Sequence, residues 1–338
     1  MIILDLIVSV LALSCNSYGR VLEYGTPESV GLLSWPFVQL EKNISAYLIP
    51  ANYSSATCNE IHPIISRSGR DGTIVSHFAV REVVKYANDN DSEFENVKKI
   101  SAKLDTIYDM ASVAVASMVV NIFQEENSVS QLLTHTAGFD ADPAPPLWTE
   151  YTSYSARRQA IIKQDFTGPL GMTDTFFNRG NLALDTSRIA ATDFQIAVQG
   201  TSEPQRPQPV WGTVHDENAW SLDGVSGHAG VFSTSMNLGI FCQMILNNGK
   251  YGNVRILESQ SHGLGFELNQ YYFSGPMQSL QTVGHTGFTG TSMVIDRPSN
   301  TFMVLLTNRV HPRRTWSSPN IAREMVGYWV KKAMGLGE

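Results

Sequence analysis

One stretch near the C-terminal end of the chain has the pattern of a β-hairpin. Residues 291–295 and 301–307 are rich in β-branched and apolar side chains, and the turn-forming sequence DRPSN at 296–300 separates them. His285-Thr286-Gly287 stands just ahead of the first segment, where small residues permit close approach to the backbone. A polar triplet before a core strand predicts a strand end that faces a cleft. The alternative is a glycine-rich turn with an incidental histidine.

Composition places the chain among ordinary globular proteins. Of its 338 residues, 43% are hydrophobic and 16% are charged, which suits one large domain or two smaller ones. The formal net charge of -7 and the lack of a dense Lys/Arg patch argue against a nucleic-acid partner. Beyond the N-terminal segment, no apolar run reaches the length of a membrane span, so we expect no membrane partner.

Residues 1–19 have the pattern of a secretory signal peptide. An apolar run at 6–13 is followed by small residues up to Gly19, after which we expect cleavage. A buried N-terminal helix is the alternative, but the run is short and has no amphipathic period. Three Asn-x-Ser sequons agree with a secreted, extracellular glycoprotein, and they begin at Asn43, Asn52 and Asn90.

Removal of the signal peptide would also remove one of the three cysteines. Cys58 and Cys242 would remain, so one disulfide is possible in an oxidising compartment, although the sequence does not establish it. No set of cysteine and histidine residues has the spacing of a metal site.

The order of elements suggests one sheet built from both ends of the chain. Residues 27–48 predict an amphipathic helix capped by Ser34, and 320–334 predict a final helix. Two strands are predicted at 61–65 and 73–80, with a turn at 70–72 and a surface loop at 85–103. Pro63 would make the first of these an edge strand at best. Strands near both termini with helices between them favour a helical insert in one sheet.

A second informative stretch covers residues 105–120. Asp109 or Ser112 would cap an almost wholly apolar helix here. A serine at the start of a buried helix is either a simple cap or a nucleophile that points into a cleft. Both interpretations fit the stretch when it is considered alone.

Five segments, taken together, resemble the β-lactamase-related serine hydrolases, a family that includes class C β-lactamases, penicillin-binding-protein-like DD-peptidases and esterases. They follow the family's order, and they are TIYDMAS (106–112), QLLTHTAGF (131–139), GPLGMTDTFF (168–177), GHAGVFSTSMNLGIF (227–241) and GHTGFTGTSMVID (284–296). The resemblance implies an α/β (α+β) domain over 27–338. Its antiparallel sheet would come from about 60–110 and 262–310, flanked by helices, with a truncated helical insert at about 112–240.

The family mechanism implies roles for particular residues. The family mechanism needs three short sequence motifs, called boxes. Ser112 would be the nucleophile of the first box, Ser-x-x-Lys, and Tyr154 is the candidate for the tyrosine of the second box. His285-Thr286-Gly287 would be the third box, which binds substrate, and the amide of Phe288 is a candidate oxyanion donor. The implied substrate is a small molecule or peptide with an ester or amide bond. The resemblance implies no metal and no cofactor.

Departures from the family pattern stand beside these matches. Val115 occupies the position of the Lys in Ser-x-x-Lys, and valine cannot accept a proton. The sequence after Tyr154-Ser155 continues without the usual box, and the intervals 112–131 and 257–261 are short. The chain is therefore predicted to be an impaired hydrolase that acts through an acyl-enzyme. The alternatives are a catalytically inactive secreted binding protein and a truncated gene product of the same fold.

Other histidines have plainer interpretations. His135 is expected in a structural turn. His215 and the two acidic residues after it are expected to pack beside the cleft, with a substrate contact left open. His228 and His262 flank glycines and are weaker candidates for the cleft lining.

Overall fold

A computed structural model of the chain describes residues 19–46, 63–84, 100–114, 159–160, 162–178, 184–195, 206–256, 265–312, 314 and 318–336. The strands are β1 (Glu23–Tyr24), β2 (Ile64–Arg70), β3 (Thr73–Val80), β4 (Tyr108–Asp109), β5 (Phe176–Phe177), β6 (Val231–Ser233), β7 (Lys250–Tyr251), β8 (Val254–Arg255), β9 (Glu267–Leu268), β10 (Thr282–Thr286), β11 (Ser292–Asp296) and β12 (Thr301–Thr307). The helices are α1 (Trp35–Ser45), α2 (Glu217–Ser221), α3 (Ser235–Leu246), α4 (Tyr271–Ser274) and α5 (Asn320–Ala333). Shorter 3-10 turns cover Pro27–Val30, Thr186–Arg188 and Gly275–Met277, and a π-helical turn covers Lys163–Thr167.

The main sheet has seven strands in the order β1-β3-β2-β12-β11-β10-β9. The pair β1–β3 is parallel, and the other neighbouring strands are antiparallel. Strand β12 pairs with β2 from Thr301 opposite Arg70 to Thr307 opposite Ile64, so the two ends of the chain meet at the centre of the sheet. The predicted antiparallel sheet from both termini is confirmed.

The expectation that Pro63 would place its strand at an edge is wrong. Strand β2 lies inside the sheet, between β3 and β12. It begins at Ile64, one residue after the proline, so the missing prolyl N–H removes no hydrogen bond from the ladder. The turn into β3 is formed by Asp71 and Gly72, whose φ angles of 53° and 83° give the backbone twist that suits a tight hairpin.

Strand β12 shows how the two faces of the sheet are filled. Phe302 and Val304 lie in the cluster that contains Phe241 of α3. Met303 and Leu305 lie in the cluster formed with α1 and α5. This alternation follows the period of two in a strand and buries β12 on both faces.

Helix α5 confirms the predicted final helix, whereas α1 is shorter than predicted. Within 27–48, a 3-10 turn at Pro27–Val30 comes first and α1 covers only Trp35–Ser45. Ser34 precedes α1, but its hydroxyl donates to Glu28 Oε1 at 2.5 Å and caps no helix amide.

The predicted helix over 105–120 begins later than expected. Tyr108–Asp109 forms β4, which pairs with β6 in a separate three-stranded sheet of order β4-β6-β5. Helical structure begins at Val113, and the residues from 115 onward lie outside the described part of the chain. Main-sheet pairing in the N-terminal half therefore ends at Val80, short of the expected 110, and it starts earlier, at β1.

The predictions for the N-terminal segment, the cysteines and the sequons concern residues of which only some are described. Gly19 exchanges two backbone hydrogen bonds with Gly252, at 2.8 and 2.9 Å. Cys242 is a buried free thiol in α3, and burial raises its pKa. Asn43 is half-buried in α1. Residues 1–18 and Cys58, Asn52 and Asn90 lie outside the described residues.

Within the described segments, no helix combines the length and apolar character needed to cross a membrane.

Candidate active site

A cleft of about 490 Å³ opens at the end of β10. It brings together residues that are far apart in the sequence, from Ser112 to Arg323 of the last helix, α5. The cleft is lined by Ser112, Glu267, His285, Thr286, Gly287, Phe288, Arg309, Ser318, Pro319, Asn320 and Arg323. Ser112 and the segment 285–288 therefore share one cavity.

The backbone ahead of Ser112 is held by a buried carboxylate. Asp109 Oδ1 accepts the Ala111 amide at 3.0 Å, and its Oδ2 accepts the His215 amide at 2.6 Å. Ala111 has a φ of 46°, a left-handed conformation that an alanine adopts only at a cost. This turn directs Ser112 away from β4 and into the cleft. Burial raises the pKa of Asp109, and the two amide hydrogen bonds oppose that rise.

Two threonines fasten this turn to the segment after β10. Thr289 Oγ1 donates to the Asp109 carbonyl at 2.9 Å, and Thr291 Oγ1 donates to the Met110 carbonyl at 2.9 Å. Gly287 packs on the same backbone, because a Cβ on it would lie 2.5 Å from the Met110 carbonyl oxygen and 3.4 Å from Ala111 Cβ. The position of Ser112 is thus fixed by residues almost 180 positions later.

Strand β10 exposes its last two residues to the cleft. The short strand β9 pairs only with Val283 and Gly284, which leaves His285 and Thr286 beyond its end. The sequence pattern placed the His-Thr-Gly triplet ahead of the first strand of the hairpin. In the structure, His285 and Thr286 are instead the last two residues of a further strand, β10, which pairs with β11.

A chain of hydroxyl groups supports Thr286. Its Oγ1 lies 3.2 Å from the Tyr272 hydroxyl, which donates to Glu267 Oε2 at 2.6 Å. Burial raises the pKa of Tyr272, and the hydrogen bond to Glu267 raises it further. Tyr272 accordingly stays a protonated donor at neutral pH, and it orients the Glu267 carboxylate on the cleft wall.

Two backbone amides beside the cleft make no hydrogen bond to any described residue. They belong to Ser112 and Phe288. The amide of Gly287 is already used, since it donates to the Thr291 carbonyl at 2.8 Å. Two amides beside one cleft, with no hydrogen-bond partner among the described residues, are the kind of donors that an oxyanion hole requires.

Two arginines in the wall were not predicted from the sequence. Arg323 of α5 is 5% exposed, and its Nη2 donates to the carbonyls of Gly287 and Thr291 at 3.1 and 2.9 Å. Its Nη1 donates to Asn320 Oδ1 at 3.0 Å, and its buried Nε meets no hydrogen-bond acceptor among the residues that the structure describes. Burial lowers the pKa of Arg323. The Cζ atom of Arg309 lies over the Phe288 ring, 4.3 Å from the ring centroid.

The positive charge of Arg323 is compensated by carbonyl dipoles and one amide, because no carboxylate forms an ion pair with it among the described residues. The signal in the sequence was an arginine at a position that packs inward on an otherwise apolar helix face.

The expected packing role of His215 agrees with its surroundings. Its ring stacks on Phe288 with centroids 5.7 Å apart, and its Nε2 lies 3.2 Å from Asp193 Oδ1. Arg314 Nε reaches Asp193 Oδ2 at 2.8 Å. These contacts brace the cleft from behind.

Four predicted residues lie outside the described part of the chain. They are Val115, His135, the second-box candidate Tyr154 and His262.

A comparison with protein-family models matches the Beta-lactamase family to residues 154–324, just over half of the chain. The chain belongs to the β-lactamase family. Its fold is the β-lactamase/transpeptidase-like fold, which agrees with the resemblance found in the sequence.

Curated relatives of this β-lactamase family member come from Salmonella. Proteins of Salmonella newport (strain SL254) and Salmonella heidelberg (strain SL476), both named "Putative D-alanyl-D-alanine carboxypeptidase", are 37% identical to it over 164 residues. The match covers 42% of this chain and only 38% of each relative.

Solved structures share the fold at low sequence identity. Simvastatin synthase (LovD) from Aspergillus terreus has a TM-score of 0.53 at 13% identity, covering 87% of this chain and 97% of that one. EstCE1, a hydrolase with promiscuous acyltransferase activity, has a TM-score of 0.52 at 14% identity, covering 88% and 99%. The octameric penicillin-binding protein homologue from Pyrococcus abyssi has a TM-score of 0.51 at 14% identity, covering 88% and 77%.

Proposed function

We propose that this chain is a serine hydrolase that acts on an ester or amide bond and forms an acyl-enzyme at Ser112. The observation that carries the proposal is the shared cleft of Ser112 and the His285-Thr286-Gly287 segment, where the amides of Ser112 and Phe288 donate to no described residue. A carbonyl in this cleft would have a nucleophile on one side and two N–H donors for the developing oxyanion.

The cationic wall supports a substrate that carries a carboxylate. Arg309 and Arg323 line the same cleft as Ser112, and Glu267 is the acidic side chain on the described lining. The Arg323 guanidinium has no carboxylate partner among the described residues, and such a buried cation gains from an anionic ligand, since charged hydrogen bonds are the stronger ones. We propose a small peptide, lactam or ester with a carboxylate beside the bond to be cleaved, and the name of the Salmonella relatives supports the same class.

We propose that acylation in this chain is slow. Val115 stands three residues after Ser112 in the sequence, where the family has a lysine, and a hydroxyl without a base is a weak nucleophile at neutral pH. Tyr154 remains our candidate for the second general base. The second candidate function is a binding protein that keeps the cleft without turnover, and Val115 is the observation that favours it.

Adduct mapping tests the proposal and separates the two candidates. The purified chain is incubated in turn with a fluorophosphonate, a penicillin and a p-nitrophenyl ester, and the adduct is located by peptide mass spectrometry. We expect a slow adduct on the Ser112 peptide that the Ser112→Ala variant lacks. A folded protein whose melting temperature rises with N-acetyl-D-Ala-D-Ala, but whose Ser112 never acquires an adduct, would establish the binding protein instead.

We also propose that the chain is secreted, on the strength of the apolar segment at 6–13 and the sequons. Cleavage after Gly19 would remove the residue that pairs with Gly252. The intact mass of protein recovered from the medium of secreting cells tests the proposal, and retention of all expressed chain inside the cells would contradict it.

A further inference from the structure

Three side chains outside the Ser112 cleft form a hydrogen-bonded chain. Ser226 Oγ lies 2.6 Å from His228 Nδ1, and His228 Nε2 lies 3.0 Å from Asp216 Oδ1. With the proton on Nε2, the imidazole donates to Asp216 and accepts the Ser226 hydroxyl proton at Nδ1. The order of hydroxyl, imidazole and carboxylate is the arrangement that activates a serine nucleophile.

Asp216 is held as an ionised acceptor. Its Oδ1 also accepts the Ala219 amide at 2.7 Å. Burial raises the pKa of Asp216, but the hydrogen bonds from the Ala219 amide and His228 outweigh it and leave the pKa below its ordinary value. A fixed carboxylate at Nε2 orients the imidazole and stabilises its protonated form.

The approach to Ser226 is open on one side. A Cβ built on Gly227 would meet no heavy atom within 4 Å, and the His228 side chain is 48% exposed. Ser226 itself is only 6% exposed, so a substrate carbonyl must arrive over the bare backbone of Gly227.

Backbone donors are available at the same place. The Ser226 amide donates to the Ala229 carbonyl at 3.3 Å and shapes the turn. The amides of Gly227 and His228 have no hydrogen-bond partner in the described part of the chain. They directly follow the serine, and the amide after a nucleophile is a common oxyanion donor.

We propose that Ser226, His228 and Asp216 form a second nucleophilic centre, which is acylated by small, unhindered carboxylic esters independently of Ser112. Ser226 Oγ bonds to the ester carbonyl carbon while its proton moves to His228 Nδ1. The tetrahedral intermediate then loses the alcohol, which leaves with the proton from Nδ1. Water repeats the sequence on the acyl-serine, and it releases the carboxylic acid and restores the hydroxyl.

Labelling of single and double serine variants tests this centre. The parent chain and the Ser112→Ala variant are treated with p-nitrophenyl acetate and with a fluorophosphonate, and adducts are mapped by peptide mass spectrometry. We expect the Ser112→Ala variant to carry an adduct on the Ser226 peptide, and the Ser112→Ala/Ser226→Ala variant to carry none there. Ser221→Ala is the matched control, because Ser221 lies on the same segment and its hydroxyl donates to the Asn218 carbonyl, not to an imidazole.

The base and the carboxylate are tested in the Ser112→Ala background. His228→Gln should slow Ser226 labelling by about a hundredfold, the usual effect of a general base. Asp216→Asn keeps a helix-capping side chain and should slow it less.

Two results would overturn the proposal. One is a folded Ser112→Ala protein that never labels at Ser226. The other is a labelling rate that His228→Gln leaves unchanged. Adduct formation on the Ser112 peptide is measured separately in the parent chain. Failure of this centre and failure of the proposed function at Ser112 are therefore distinguishable.

Discussion

Gly287 lies against the carbonyl of Met110 so closely that a Cβ atom on residue 287 would stand 2.5 Å from that oxygen. Met110 comes two residues before Ser112, and Gly287 follows the two cleft-facing residues of β10. The absence of a side chain at 287 therefore lets the segment after β10 pack directly on the backbone that leads to Ser112.

Gly287→Ala should loosen this contact and disturb the cleft. The added methyl group must displace backbone, so we expect the free energy of unfolding to fall by about 1–3 kcal/mol and Ser112 labelling to slow. Gly227→Ala is the control for stability, because a Cβ there meets open space. Urea unfolding and adduct mapping provide the measurements. Parent-like values in both would show that the contact does not constrain the cleft.

Val115→Lys should accelerate acylation of Ser112. A lysine three residues after the serine would supply the missing proton acceptor, and general-base assistance is typically worth about 10²–10⁴-fold. Val115→Met is the control, since it lengthens the side chain without adding a base. The measurement is the rate of fluorophosphonate labelling at Ser112. Equal rates in the two variants would mean that residue 115 does not approach the Ser112 hydroxyl.

Arg323→Met should weaken the cleft's preference for carboxylates. Loss of the buried guanidinium removes charged hydrogen bonds, each typically worth about 1.5–3 kcal/mol. We expect N-acetyl-D-Ala-D-Ala to protect Ser112 from labelling about tenfold less well, with little change for its C-terminal amide. Arg297→Met, which removes a cation in the turn between β11 and β12, is the control. If the dipeptide and its amide are affected alike, Arg323 serves packing and not ligand charge.

Asp193→Asn should remove an acid-sensitive part of the stability. Burial raises the pKa of Asp193, but His215 and Arg314 lower it by more, so it stands below the ordinary value of 3.8. An aspartate with a lowered pKa stabilises the fold above its unfolded pKa, and that stabilisation disappears as pH falls through the folded pKa. The free energy of unfolding of the parent should therefore exceed that of the variant by about 1–3 kcal/mol at pH 7 and by less near pH 3.

Urea unfolding of both proteins at the two pH values tests this expectation. Asp105→Asn is the control, because the Asp105 carboxylate is 57% exposed in its ion pair with Arg188 and surface pairs contribute little. A difference between parent and Asp193→Asn that stays the same at pH 3 would show that charge is not the cause.

The sequence alone determined the elements whose signals are local. Segments rich in β-branched and apolar residues on both sides of a turn predicted β11 and β12, and the turn around Asp71-Gly72 predicted the hairpin between β2 and β3. The period of 3.6 predicted α5. The five segments that resemble the family identified it, and they made both Ser112 and His285 candidate site residues. These segments depend on chemistry more than on folding propensity.

Tertiary structure decided what depends on distant partners. Residues 108–109 form a strand and not a helix, because β6, more than 120 positions later, supplies the pairing. Pro63 had no effect on β2, because the ladder begins one residue later. Only the structure shows that the Arg323 guanidinium donates to the Gly287 carbonyl and that Ser226, His228 and Asp216 are hydrogen-bonded in a chain. A short segment is compatible with several structures, and only the contacts made when the chain closes on itself select one of them.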